Sequence, residues 1–211
     1  MDGGINMKKT KVIHLGGSKF IATIRENIIV VFFALIFITG FLLACLVYRT
    51  GNLKEFSKTL YDVFVSVKLN GSFLKVFSIS FLTSFVFLFL VELFGTSLTG
   101  CAFIPLLILV RGLIYGFVLC DLYSLGKLNA LIINIIIILP SAIICVLTLF
   151  CASAKSINLS YFLGKLSLGD GQALTRVDIK NYLLSFVIYV FITVLSSLLE
   201  AFLSTSFIDF F

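Results

Sequence analysis

Apolar residues in this chain do not recur on a helical or a strand period. They come in long unbroken blocks, over residues 28–48, 76–93, 98–120, 128–154 and 182–203, separated by short polar connections. Each block has at least the ~17 residues a helix needs to cross the hydrocarbon layer of a bilayer. A helix that is apolar all round has no face to offer water, so the blocks read as membrane spans and not as surface helices. The predicted fold is all-α, a polytopic membrane bundle of about five transmembrane helices. Residues 28–203 form the membrane unit, residues 1–27 a basic arm and residues 204–211 a short tail.

One connection carries a different pattern. Between Arg49 and Lys75, residues Leu53, Phe56, Leu60, Val63, Phe64 and Val67 recur at helical spacing, with Lys54, Glu55, Lys58 and Asp62 on the remaining positions. This predicts an amphipathic helix that packs on the top of the bundle, lies in the lipid interface or offers a face to a partner.

Composition agrees with a membrane protein. Of 211 residues 60% are hydrophobic and 12% charged, about half the charged share of an ordinary soluble domain. The net charge of +6 sits in connections beside apolar blocks, where lysine and arginine set orientation and meet anionic lipid, so nucleic acid is not an expected partner. With the N-terminus inside, nine connection residues on the cytoplasmic side are basic against six outside. This predicts a multi-pass protein of the cell membrane with a cytoplasmic N-terminus and an external C-terminus. The block after the basic arm is too long for a signal-peptide core and lacks a small-residue cleavage site, so it reads as a retained helix.

The informative residues are those that interrupt the apolar blocks. Arg111 lies at the centre of the third. A guanidinium at mid-membrane costs about 2.5–3.5 kcal/mol on insertion scales, so it must face the bundle interior, a wet cavity or an acid. Glu92, Asp121 and Glu200 are the acids near the membrane, and the sequence does not rank them. Three roles stay open for Arg111: a structural ion pair, a substrate or ion pathway, and an interfacial position in a re-entrant helix pair that dips back at Pro105. Gly112 and Gly116 form a GxxxG, which lets another helix approach closely, and Gly40 offers the same in the first span. Pro140 removes a backbone donor within the fourth block and predicts a bend, with Ser141 able to bond a freed carbonyl.

Catalytic and cofactor chemistry is not predicted. The sequence has no P-loop, dinucleotide fingerprint, HExxH or GxSxG. Cys45, Cys101, Cys120, Cys145 and Cys151 lie in or beside apolar blocks without metal-ligand spacing, and His14, the one histidine, stands in the basic arm. No cofactor, metal or enzyme activity is expected. A small scaffold or assembly factor remains, with a small transport component as the alternative, since Arg111 and the bent fourth span also suit a transport path.

The central stretch resembles a known family. A small-residue turn (Gly95, Ser97, Gly100), Arg111 eleven positions after Gly100, Gly112 and Gly116-Phe117 beyond it, and Leu139-Pro140 in the next span are similar to stage II sporulation protein M, as are the basic arm and the last span ending in Glu200-Ala201. The chain departs from that pattern at Ala102, at Ser141-Ala142 and in having arginine at 111. The resemblance implies a membrane protein without catalytic activity that anchors the peptidoglycan-degrading stage II sporulation proteins D and P at the septum during forespore engulfment. Expected partners are therefore those two proteins and membrane lipid, with self-association left open. Candidate site residues are Arg111, Glu92, Asp121 and Glu200 as intramembrane polar groups, Gly95, Gly100, Gly112 and Gly116 for packing, and Pro140 for the bend.

Overall fold

A computed structural model describes residues 15–51, 54–66, 71–125, 134–167 and 176–207, which form six helices. These are α1 (Leu15–Thr50), α2 (Lys54–Tyr61), α3 (Phe73–Gly95), α4 (Gly100–Leu125), α5 (Leu139–Ser167) and α6 (Arg176–Phe207). A π-helical turn, Asp62–Ser66, prolongs α2, and another, Asn134–Ile138, leads into α5. Five segments are long and apolar enough to cross a membrane: Ile28–Thr50, Phe73–Gly95, Gly100–Ser124, Ile136–Ser167 and Lys180–Ser206.

The helices outrun their apolar blocks, two of them by far. α1 begins at Leu15, within the stretch read as a polar arm, and α5 continues through INLSYFLGKL to Ser167. Once a span has nucleated a helix, each further residue adds a hydrogen bond at little cost, and no proline stands in either extension. α4 is one continuous helix with Pro105 in its second turn, so it crosses once and does not dip back. Lys8, Lys9, Lys11, His14 and the Gly169–Gly171 turn lie outside the described residues.

α1 and α4 run parallel in backbone contact. A Cβ placed on Gly40 would fall on the Leu109 carbonyl oxygen, one on Gly112 on that of Phe37, and one on Gly116 would lie 2.6 Å from the Ala44 Cβ. One turn on, the Cys45 and Cys120 sulfurs are 3.4 Å apart, and beyond them the Tyr48 hydroxyl donates to Asp121 Oδ1 at 2.9 Å. Hydrophobic burial does not drive helices together in lipid, so this closeness, which strengthens dispersion contacts, is what holds the pair. In a variant retaining Cys45 and Cys120 as its cysteines, a small disulfide oxidant is expected to join α1 to α4. After cleavage at a protease site inserted in the 67–70 connection, the fragments should stay together until reduced. Fragments that separate without reductant would break this seam.

From α3 onward the spans alternate in direction, so the bundle has one end at the α3–α4 turn and another at α2. The main core gathers Phe33, Leu88, Val91, Ile104, Ile108 and Phe150. Stacked rings of Phe77, Phe81, Phe85 and Phe89, with centroids 5.4–6.1 Å apart, form one stripe of α3. α2 packs on α4: Ser57 Oγ donates to the Phe117 carbonyl at 3.3 Å, and the Phe56 ring meets Phe117 edge-on at 6.0 Å. Leu60, Tyr61 and Phe64 pack against Val118, Leu122 and Ile138, while Phe56 and Val63 stay about half exposed. The amphipathic segment therefore sits on one end of the bundle with part of its apolar face uncovered.

Candidate intramembrane polar site

Arg111 sits midway along α4, whose other faces are apolar, and helix geometry alone decides where its side chain goes. Tyr115 follows at i+4 and stacks on it, with the guanidinium 4.9 Å from the ring centroid, while the other side of the ring meets Phe37 of α1 edge-on at 5.9 Å. The Phe87 ring of α3 lies on it at 4.8 Å. Its Nη2 donates to Ser84 Oγ at 3.3 Å and to the Tyr115 hydroxyl at 3.4 Å. Two aromatic faces and two hydroxyls thus hold a cation that is 4% exposed. Nη1 has no hydrogen-bond partner among the described residues, and neither has the buried Ser80 Oγ.

Arg111 and Ser80 both line one cavity of about 30 Å³, enclosed by α3 (Ser80, Thr83, Ser84), α4 (Arg111, Tyr115), α5 (Ser141, Cys145) and α6 (Glu200), with Phe64 from the π turn after α2 at one end. That volume holds a water or two and is polar enough to keep them. Of the three acids, Glu200 is the one that lines this cavity, and it is 5% exposed. Asp121 instead bonds Tyr48 in the α1–α4 seam. Glu92 lies near the opposite end, where its backbone carbonyl accepts from the Tyr182 hydroxyl at 3.2 Å.

Around Pro140 the missing N–H coincides with the π-helical turn that ends at Ile138. Ser141 Oγ donates to the Ile138 carbonyl at 3.1 Å, and the Ser141 carbonyl accepts from Ser196 Oγ at 3.0 Å. These two hydroxyls add bonds to backbone carbonyls on either side of the proline, and Ser196 ties this part of α5 to α6. Gly95 and Gly100 border the α3–α4 turn. A Cβ on Gly95 would lie 2.6 Å from the Ser156 Cβ, and one on Gly100 2.8 Å from Ser160 Oγ. Ser160 Oγ in turn donates to the Ser97 carbonyl at 2.7 Å, and Ser156 shares a 3.0 Å bond with the Tyr182 hydroxyl, so this end ties α3, α4, α5 and α6 together.

Several contributors were not singled out from sequence. Tyr115 stood unremarked inside the GLIYG motif, although four residues after an intramembrane arginine is where a partner on the same helix belongs. A ladder of buried hydroxyls, Ser153, Ser156 and Ser160 on α5 and Thr193, Ser196, Ser197 and Ser204 on α6, also went unread. Their three- and four-residue spacing is the available signal. Among the described residues no group of three or more His, Cys, Asp or Glu is arranged to hold a metal.

No curated protein and no solved structure matches the chain. The family model described as Stage II sporulation protein M matches residues 29–205, from the start of the first span almost to the end of α6 and across the whole polar site. This chain, an all-helical protein with five helices able to span a membrane, belongs to the stage II sporulation protein M family.

Proposed function

We propose that this sporulation membrane protein is a non-catalytic scaffold that anchors peptidoglycan-degrading proteins, the stage II sporulation proteins D and P, at the septum during engulfment. Family membership across residues 29–205 is the observation that carries the reading. The disposition of the polar groups supports it: Arg111 is held by rings and hydroxyls from two helices, and Asp121 fastens the α1–α4 seam. Its polar cavity of about 30 Å³ is an order of magnitude below the roughly 300–1,000 Å³ of a small-molecule site, which also weighs against a transport path. In this reading the N-terminus is cytoplasmic, α2 lies at the outer end, and its uncovered face with Phe56, Lys58 and Val63 receives the partner.

The test is capture from sporulating cells with the tagged full chain. Proteins D and P should be recovered with the wild type and lost with Lys58→Glu/Val63→Glu, two exposed positions whose replacement leaves the bundle intact. Equal recovery with this variant would remove α2 as the docking face. No recovery with the wild type would overturn the anchoring role.

A further inference from the structure

A second cavity, of about 270 Å³, opens on the flank of the bundle between α1 and α5, with α4 as its floor. Phe37 and Phe41 form one wall, Ala142 and Ile143 the other, and the Tyr115 ring and Leu119 the floor. Its origin is local. Glycine contacts draw α1 onto α4, and α5 begins with a π turn and Pro140, so α1 and α5, which meet at the Phe37 and Phe150 rings, part beyond that contact with small Ala142 between them. The Tyr115 hydroxyl turns the other way, toward Arg111, leaving the groove face of the ring apolar. At the α2 end, Leu60, Tyr61 and Phe64 pack on the cluster that holds Ile138, so entry is from the side, past Ile143 and Leu147, each about half exposed.

We infer that this groove is a binding site for one acyl chain of a bilayer phospholipid. Position, chemistry and size each argue for that occupant. The groove lies within the spans α1, α4 and α5, at the depth of the hydrocarbon layer, where acyl chains surround the protein. Its walls offer no partner to a polar group, which would enter at the cost of its hydrogen bonds. A helix with its side chains is roughly 10 Å across and rises about 1.5 Å per residue, so 270 Å³ would take up only about two of its residues. A chain one carbon wide fits where a helix does not. An unfilled slot would forfeit dispersion contacts along both walls, and in a bilayer those contacts drive association. Because Tyr115 is the floor of this groove and a wall of the Arg111 cavity, the bound chain braces the ring that holds the arginine.

The site is tested with the full chain in vesicles of phosphatidylethanolamine and phosphatidylglycerol that carry a phospholipid with a diazirine in its acyl chain. After irradiation, adducts mapped by mass spectrometry should be several-fold more frequent on Phe41, Leu119 and Ile143 than on Leu183, Val187 and Phe202, which are well exposed on the outside of α6. Ala142→Phe, which fills the groove, should remove the enrichment while the Cys45–Cys120 crosslink still reports an intact α1–α4 seam. Should that variant fail to fold, the wild-type contrast decides alone. Equal labelling of both faces would overturn the inference, as would a photo-crosslinker at Ile143 that captures protein, a second copy included, in place of lipid.

Discussion

Glu200→Leu is expected to lower the stability of the bundle by up to about 3–5 kcal/mol, the range for leaving a buried charge uncompensated, because it takes the one carboxylate out of the cavity that Arg111 also lines. The charge left behind is Arg111, 4% exposed, which lines the same cavity as Glu200 and whose Nη1 has no hydrogen-bond partner among the described residues. The cavity is small and the helices cannot part to admit more water without losing the Phe87 and Ser84 contacts, so solvent does not replace the lost carboxylate. Arg111→Leu should cost a similar amount by taking the cation out of the same cavity. Thermal unfolding in detergent checks both, and the pair of changes together should cost less than either alone. A double variant as unstable as the sum of the singles would show that the two residues act independently.

The second large effect belongs to the α1–α4 seam. Gly112→Leu places a branched side chain where a single Cβ already meets the Phe37 carbonyl oxygen. Overpacking typically costs about 1–3 kcal/mol when neighbouring side chains adjust. Here the obstacle is α1 backbone, so the cost should reach or pass the top of that range. The helices must separate, and the crosslink between Cys45 and Cys120 should disappear. Gly164→Leu, on a face with nothing within 4 Å, is the control and should leave the crosslink unchanged. A retained crosslink in Gly112→Leu would contradict the close parallel seam.

Much of this architecture was legible in the chain itself because a membrane span is a strong signal. An apolar block as long as residues 28–48 admits few other readings, and a charge such as Arg111 within one stands out. Helix ends were less legible, since the last turns of α5 and the first of α1 are polar by composition and helical by propagation. Which acid shares a cavity with Arg111 could not be ranked at all, because Glu200 comes 89 residues later and only the direction of α6 brings it to the cavity. The acyl groove left no trace in the pattern: its residues are ordinary apolar ones, and it exists only because α1 and α5 part over α4.

In the proposed scaffold role, Arg111 and Glu200 hold the bundle in shape and take no part in chemistry or transport. Replacing both at once, Arg111→Met/Glu200→Met, removes every charge from the central cavity while keeping its bulk, and buried pairs exchanged for well-packed apolar residues are often neutral in stability. The decisive measurement is the yield of heat-resistant spores when this double variant is the sole copy in a sporulating host, with its amount in the membrane measured alongside. Near wild-type spore yield at a wild-type protein level is the predicted result. A double variant present at full level that yields no spores would contradict it and assign the two charges a direct part in the function.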